Sequence, residues 1–243
     1  MTETDIPTDK HIQAVIFDCD GVLVDSETIS ARIWAEEVAR YGYTLTPREF
    51  ARRFAGRPAA DTAKLLNQAA PRKLPDDFAR VTDEKVASLY ANELDTVFGI
   101  EDLIEALGDI PKAVASSSGI SKLRQGLVVT NLSRSFMPHV YSAEQVQRGK
   151  PAPDLFLFAA EKLDIAPAHC LVIEDSIAGV HAAKSAGMIP LGFTGTSPEA
   201  EVHAERLKQV GARLVVHRHA DVLDAMAEIE DMIAMAAKTQ PKA

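Results

Sequence analysis

Two aspartates separated by one residue, Asp18 and Asp20, are the first candidates for chemistry in this sequence. They directly follow the apolar run Ala14–Phe17, and Gly21 comes next. Side chains two positions apart on an extended chain point the same way, so the carboxylates would repel each other unless a cation or a proton lay between them. The pattern therefore indicates metal binding or acid chemistry, although Asp and Gly are also ordinary turn residues.

Other apolar runs also end in polar side chains: Ser116, Ser117 and Ser118 after one run, Lys150 in a loop after a second, and Glu174 and Asp175 after a third. Each group has an ordinary alternative, because serines and acids cap helices and most lysines lie on the surface. Parallel strands, however, all leave a sheet at the same edge, where open sheets bind ligands. The placement of all these polar groups after apolar runs therefore favours one shared crevice.

The elements that would position these groups fall into two kinds. From residue 97 onward, helical patterns alternate with short apolar runs, which predicts an α/β fold with a doubly wound parallel sheet. Residues 28–96 carry helical patterns and no strand signal, which predicts an inserted all-α unit. We therefore expect an α/β core from residues 11–27 and 97–235, and a disordered tail at 236–243.

Charge and composition exclude several kinds of partner. At 243 residues with a net charge of −9 and no basic block, the chain is a poor match for nucleic acid or an anionic membrane surface. No apolar run reaches the length of a membrane span or suits a signal peptide. Cys19 and Cys170 lie in apolar runs, which predicts reduced thiols in a cytoplasmic protein. The oligomeric state stays open, with a monomer favoured.

Four segments together resemble the four motifs of the haloacid dehalogenase superfamily, in that family's order: residues 18–26 (DCDGVLVDS), 115–116 (AS), 149–154 (GKPAPD) and 172–176 (VIEDS). Residues 28–96 resemble the family's small α-helical cap, as in the branch that holds β-phosphoglucomutase and sugar phosphatases. The resemblance covers residues 12 to 223 and implies a Rossmann-like core with an inserted cap.

The resemblance also implies a reaction, in which Asp18 attacks the phosphorus of a phosphate ester and forms an aspartyl phosphate. Asp20 protonates the leaving oxygen and later takes a proton from water, so we expect its pKa to be raised. Mg²⁺ is the implied cofactor, held by Asp18, the backbone carbonyl of Asp20, Asp175 and Glu174.

The remaining implied roles concern the substrate. Ser116 and Lys150 would bind the phosphoryl oxygens, with backbone amides near Ser117 adding partial positive charge. Specificity falls to Gly56 and Arg57 in a break between cap helices, and to Glu27, which faces the substrate or belongs to the hinge. Arg57 is as well explained by a solvated position beside a helix start. The implied substrate is a small phosphorylated metabolite, namely a sugar phosphate or a sugar-acid phosphate such as 6-phosphogluconate.

Two other activities fit the same motifs. A phosphosugar mutase uses the same aspartyl phosphate, but related mutases carry a histidine in the first cap helix, near Ser30 of this chain. A catalytically silent protein that binds phosphometabolites is disfavoured because all the chemical positions are filled. A dehalogenase would lack Asp20. Dinucleotide and P-loop sites are unsupported, because the required glycine patterns are missing.

Overall fold

The centre of the fold is a sheet of six parallel strands in the order β3-β2-β1-β4-β5-β6. The computed structural model describes residues 11–54, 57 and 59–239. The strands are β1 Ala14–Phe17, β2 Lys112–Ser116, β3 Val140–Ser142, β4 Cys170–Glu174, β5 Ile189–Phe193 and β6 Leu214–Val216. The predicted α/β fold with a parallel sheet is confirmed.

Helices cover both faces of this sheet. Val15 and Phe17 of β1 point into one apolar core, whereas Ala14 and Ile16 point into another, because successive side chains alternate between faces. Every residue of β1 is fully buried. The chain adds strands on one side of β1 and then on the other, which places the switch point of the sheet at the carboxyl end of β1.

The helices before β2 are α1 Ser26–Ala39, α2 Pro47–Phe54, α3 Ala59–Ala69, α4 Phe78–Glu93 and α5 Ile100–Ala106. The later helices are α6 Ile120–Val129, α7 Ser133–Phe136, α8 Asp154–Leu163, α9 Ile177–Ser185, α10 Ala200–Val210 and α11 Val222–Thr239. None of the helices among the described residues is long and apolar enough to cross a membrane.

The stretch from α1 to α4, residues 26–93, is called the helical insertion below. Its core is aromatic: the Trp34 ring stacks on Phe50 with centroids 5.9 Å apart and meets Phe78 edge-on at 5.7 Å. Two apolar residues of the insertion are exposed, Leu65 at 38% and Val81 at 47%. The packing of the neighbouring helices decides which side of each helix is covered, and spacing along the chain does not fix it.

Two predicted boundaries differ from the structure. The helical insertion begins at Ser26, two residues earlier than expected, because the side chain of Asp25 caps α1 by accepting from the Thr28 backbone N–H at 3.2 Å. At the other end, α11 continues to Thr239, so residues 236–239 of the predicted disordered tail are helical.

Candidate active site

Three neighbouring strands end in the polar residues predicted to form the site. Asp18 follows β1, Ser116 ends β2 and Glu174 ends β4. Because β1 lies between β2 and β4 and all three run parallel, their polar ends meet at one edge of the sheet. With Lys150 and Asp175, they line a cavity of about 380 Å³ that also has residues of the helical insertion in its wall. We call this space the catalytic cavity.

Lys150 is a buried bridge between two of the acids. Its ammonium Nζ lies 2.5 Å from Asp18 Oδ1 and 2.7 Å from Glu174 Oε2, and its side chain is only 3% exposed. The interpretation of Lys150 as a solvent-exposed surface residue is therefore excluded. The bridge fixes both carboxylates and offsets part of their negative charge.

Asp18, Glu174 and Asp175 each direct one carboxylate oxygen into a cluster, and these oxygens lie within 4.8 Å of one another. Two glycines make room for it. A Cβ on Gly21, whose φ is +81°, or on Gly179 would lie within 3.0 Å of the carboxylate of Asp175 or Glu174, respectively. The backbone thus leaves space for carboxylates at these two positions.

The cluster carries more negative charge than Lys150 neutralises. Burial, together with Glu174 and Asp20, raises the pKa of Asp18 to about 8 against the opposing effect of Lys150. Burial and the neighbouring acids likewise raise the pKa of Asp175 well above its ordinary value. Three oxygen donors with this excess of negative charge fit a hard divalent cation such as Mg²⁺.

Asp20 is held apart from this cluster. Its two carboxylate oxygens accept hydrogen bonds from Ser26 Oγ at 2.5 Å and from Ser118 Oγ at 2.7 Å. Burial alone raises its pKa, but the positive charge of Lys122 and the two hydroxyl donors outweigh burial, and the pKa lies below its ordinary value. The expectation of a raised pKa for Asp20 is wrong, because these partners stabilise the carboxylate.

The serines after β2 and Glu174 after β4 do not serve as helix caps. The N-cap of α6 is Gly119, without a side-chain cap, so the serines at the end of β2 do not cap it. Ser176 caps α9: its Oγ accepts from Gly179 N–H and donates to Glu174 Oε1 at 2.7 Å. Glu174 is therefore oriented by the cap and does not itself act as the cap.

Comparison with known proteins identifies the family to which this chain belongs. The family model described as haloacid dehalogenase-like hydrolase matches residues 15–192. The chain belongs to this family. The 6-phosphogluconate phosphatase of Escherichia coli (strain K12) is 32% identical over 180 residues, which are 74% of this chain and 81% of that protein.

Solved structures agree with the fold of this haloacid dehalogenase-like hydrolase. A conserved haloacid dehalogenase-like protein of unknown function from Agrobacterium tumefaciens (strain C58) aligns with a TM-score of 0.82 at 32% identity, over 90% of this chain and 99% of that one. A HAD family hydrolase from Deinococcus radiodurans R1, solved with bound phosphate and sodium, aligns with a TM-score of 0.76 at 34% identity, over 90% and 96%. The predicted family and its Rossmann-like fold are confirmed.

The predicted substrate residues of this hydrolase lie around the catalytic cavity. Ser117 is exposed and lines it. Arg57 is exposed and lines both this cavity and an adjoining one of about 560 Å³. Glu27 also lines both; burial, together with the charges of Asp20 and Asp25, raises its pKa to about 7 despite Lys122. Gly56 lies outside the described residues.

Sequence reasoning missed Asp83 and Lys122, which also line the catalytic cavity. Asp83 lies in α4 of the helical insertion and Lys122 in the first turn of α6. Neither belongs to one of the four motifs, and a single charged residue on a helix is most often solvated. Trp34 and Tyr90 contribute to the same wall.

Proposed function

We propose that this haloacid dehalogenase-like hydrolase is a Mg²⁺-dependent phosphatase that forms an aspartyl phosphate on Asp18. The observation that carries the proposal is the arrangement of two kinds of carboxylate in one cavity. Asp18 lies in the acid cluster bridged by Lys150, and Asp20 lies outside it in hydrogen bonds to hydroxyl groups. A nucleophile and a separate proton carrier are what two successive displacements at phosphorus require.

In the first displacement, an oxygen of the Asp18 carboxylate forms a bond to phosphorus while the bond from phosphorus to the ester oxygen breaks. The leaving oxygen takes a proton from Asp20. In the second displacement, a water oxygen forms a bond to phosphorus while the bond from phosphorus to the Asp18 oxygen breaks. Asp20 takes a proton from that water, and phosphate leaves as the Asp18 carboxylate is restored. Ser116, 1% exposed at the end of β2, and Lys150 line the same cavity and would bind the phosphoryl oxygens.

Asp18, Glu174 and Asp175 would hold the Mg²⁺, with the backbone carbonyl of Asp20 as a further proposed ligand. When bound, the ion supplies positive charge that favours the ionised carboxylates and offsets the charge of the phosphoryl group. Lys150 adds a second positive charge beside Asp18.

Asp20 must gain a proton before it acts as an acid. Its pKa is below the ordinary value in the free protein, where Lys122 and two hydroxyl groups stabilise the carboxylate. A bound dianionic phosphoryl group brings negative charge beside it, which favours the protonated form. We therefore propose that Asp20 takes up this proton when the substrate binds.

The proposed substrate is a small phosphorylated sugar or sugar acid. A relative that is 32% identical is a 6-phosphogluconate phosphatase, and the catalytic cavity has room for a small leaving group. Residues 28–96 would act as a cap that opens for substrate and excludes bulk water when closed. We place the reaction in the cytoplasm, which agrees with the buried free thiols of Cys19 and Cys170.

Hydrolysis is favoured over mutase chemistry by the residue at position 30. Ser30 lines the catalytic cavity, near the place where the resemblance puts the histidine of related mutases. A mutase also has to exclude water until it returns the phosphoryl group to another hydroxyl. A sugar 1-phosphate separates the two activities: a phosphatase accumulates free phosphate, whereas a mutase accumulates the 6-phosphate isomer.

The test of the proposed function is phosphate release from a panel of phosphate esters with and without Mg²⁺. The panel contains p-nitrophenyl phosphate, 6-phosphogluconate, hexose phosphates and hexitol phosphates. We expect Mg²⁺-dependent release and a preference for at least one sugar or sugar-acid phosphate over p-nitrophenyl phosphate in kcat/KM. No release from any ester with Mg²⁺ present would contradict the proposal.

A further inference from the structure

The helical insertion contributes a wall to the catalytic cavity that the proposed reaction at phosphorus does not use. Four aromatic side chains lie in this wall: Trp34, Phe50, Phe54 and Tyr90. Polar side chains lie among them, namely Ser30, Thr62 and Asp83. A mainly apolar surface with a few placed polar groups is typical of sites that bind a small organic molecule.

Two opposite charges enter this part of the cavity from different sides. Asp83 comes from α4 of the helical insertion, and Lys122 comes from α6 beside the sheet. Their charges act on each other, but among the described residues neither forms an ion pair within 4.0 Å. The two charged groups therefore lie more than 4.0 Å apart while lining the same cavity.

Each of the two charged groups has an aromatic partner. Asp83 Oδ1 accepts a hydrogen bond from Trp34 Nε1 at 3.3 Å, and Oδ2 accepts none from the described residues. Lys122 Nζ lies 5.5 Å from the centre of the Tyr90 ring, within reach of a cation–π contact. Each group thus keeps hydrogen-bonding capacity for a ligand.

Tyr90 adds a third polar group at the same place. Its side chain is 2% exposed, and its hydroxyl has no hydrogen-bond partner of good geometry among the described residues. The Lys122 ammonium and the Ser26 hydroxyl lie nearby. A ligand hydroxyl beside it would give this buried group a hydrogen bond of good geometry.

Lys122 keeps its positive charge in this setting. Burial alone lowers its pKa, but the negative charge of Asp20, with contributions from Tyr90 and Asp83, outweighs burial and raises the pKa above its ordinary value. The cavity therefore offers a permanent donor opposite a carboxylate. A hydroxyl group suits both partners, because it donates one hydrogen bond and accepts others.

We propose that Asp83 and Lys122 bind hydroxyl groups of the leaving alcohol, and that they select phosphate esters of sugars and polyols over esters of plain alcohols and phenols. The inference rests on the phosphatase function proposed above and assigns the substrate class of that site. Lys122 donates to one hydroxyl, Asp83 accepts from the same or a neighbouring hydroxyl, and the aromatic wall packs against the carbon skeleton.

The test compares two substrates within each variant of the full-length protein with Mg²⁺. One is a hexitol 6-phosphate, whose leaving group carries hydroxyls, and the other is n-hexyl phosphate, whose leaving alcohol needs the same proton but carries no further hydroxyl. For Asp83→Asn and Lys122→Met, we expect the ratio of kcat/KM for the hexitol ester to that for the hexyl ester to fall about tenfold or more. Lys122→Arg, which keeps the charge, retains more of the ratio than Lys122→Met.

Matched controls lie on the same two helices. Glu84→Gln changes the exposed residue next to Asp83, and Arg124→Met changes an exposed residue of α6 outside the described lining of the catalytic cavity. Both controls keep the wild-type ratio. The Tm of each variant is measured, and Asp83→Ser and Lys122→Gln replace any variant that does not fold.

The two proposals fail in different ways. A wild-type protein that releases no phosphate from either ester contradicts the phosphatase and, with it, the hydroxyl site. A wild-type protein that is active, with variants whose ratio stays within twofold of the wild type, contradicts the hydroxyl site alone. Equal losses on both esters also contradict the hydroxyl site alone, because Lys122 would then act only through Asp20.

Discussion

The two walls of the catalytic cavity are built in different ways. On the sheet side, Asp18, Lys150 and Glu174 lie at the ends of strands or in the following loop, and their side chains are at most 9% exposed. Lys150 contacts both carboxylates directly, at 2.5 and 2.7 Å. On the side of the helical insertion, Asp83 accepts a hydrogen bond from the Trp34 indole, and Arg57 is exposed. We call these two sides the sheet wall and the insertion wall.

This difference suggests that the sheet wall carries out the reaction at phosphorus and that the insertion wall selects the substrate. The sheet wall fixes groups that any phosphate ester needs, because every such ester presents the same phosphoryl group. The insertion wall faces the leaving group, which differs from one ester to another. Changes in the sheet wall should therefore affect all substrates, and changes in the insertion wall should affect some more than others.

The largest effect is expected for Asp18→Asn. The amide keeps the size of the side chain but is a poor nucleophile, so kcat should fall by about three orders of magnitude or more on every ester. Steady-state phosphate release measures the loss. Asp102→Asn, an exposed acid on α5, serves as the matched control and should retain wild-type activity. An active Asp18→Asn protein would contradict the conclusion that the sheet wall carries the groups needed for every ester.

Asp20→Asn should reduce kcat by about 10² to 10⁴ for a sugar phosphate, whose leaving oxygen needs a proton. The loss should be smaller for p-nitrophenyl phosphate, because p-nitrophenolate leaves without protonation. Initial rates of both esters across a range of pH measure the difference. Equal losses would show that Asp20 acts only in the second displacement or in folding.

Binding of Mg²⁺ should depend on pH through the sheet wall. Asp18, whose pKa is about 8 in the metal-free protein, holds a proton through the neutral range, and the ion must displace it. The affinity should therefore rise by about tenfold per pH unit from pH 6 to 8 for each proton displaced from the cluster. Calorimetry at several pH values measures this, and Asp18→Asn should make the dependence shallower, leaving the part that comes from Asp175.

The same raised pKa affects folding in a defined direction. A carboxyl whose pKa is higher in the folded state favours that state most below its ordinary pKa and loses this contribution as pH rises toward 8. The Tm of the chelated protein should accordingly fall between about pH 5 and 8, and Mg²⁺ should restore part of it. A Tm independent of both pH and Mg²⁺ would count against the acid cluster as a metal site.

The smallest effect is expected in the insertion wall at Arg57. Arg57→Ala should raise KM for phosphosugars severalfold and leave KM for p-nitrophenyl phosphate less changed, because an exposed guanidinium contributes modestly to binding. Arg48→Ala, an exposed residue of α2 outside the described lining of the cavity, is the matched control. Equal changes for both esters would show that Arg57 is not a selector.

The sheet wall was predictable because its signals are local. An acid directly after an apolar strand, as at Asp18 or Asp175, is visible in a few consecutive residues. The low pKa of Asp20 was not predictable, because Ser118, one of its hydrogen-bond partners, lies 98 residues away in the sequence. For the same reason, Asp83 and Lys122 gave no signal until folding brought α4 and α6 together.

The insertion was predictable as helices but not in its contacts. Its helical spacing correctly indicated helices, yet Leu65 and Val81 proved exposed. Spacing gives the period of a helix, and the rotation of that helix against its neighbours depends on packing that sequence patterns do not encode. The residues that face the substrate are set by that rotation.

The proposed reaction requires that Asp18 carry the phosphoryl group, and this intermediate can be trapped. Protein mixed with a radiolabelled phosphate ester and Mg²⁺ is quenched in acid within the first turnover and digested. We predict label on the peptide that contains Asp18, lost on treatment with hydroxylamine as expected of an acyl phosphate, and no label in Asp18→Asn. Label on a different residue, or phosphate release by an active Asp18→Asn protein, would contradict the assignment of Asp18 as the nucleophile.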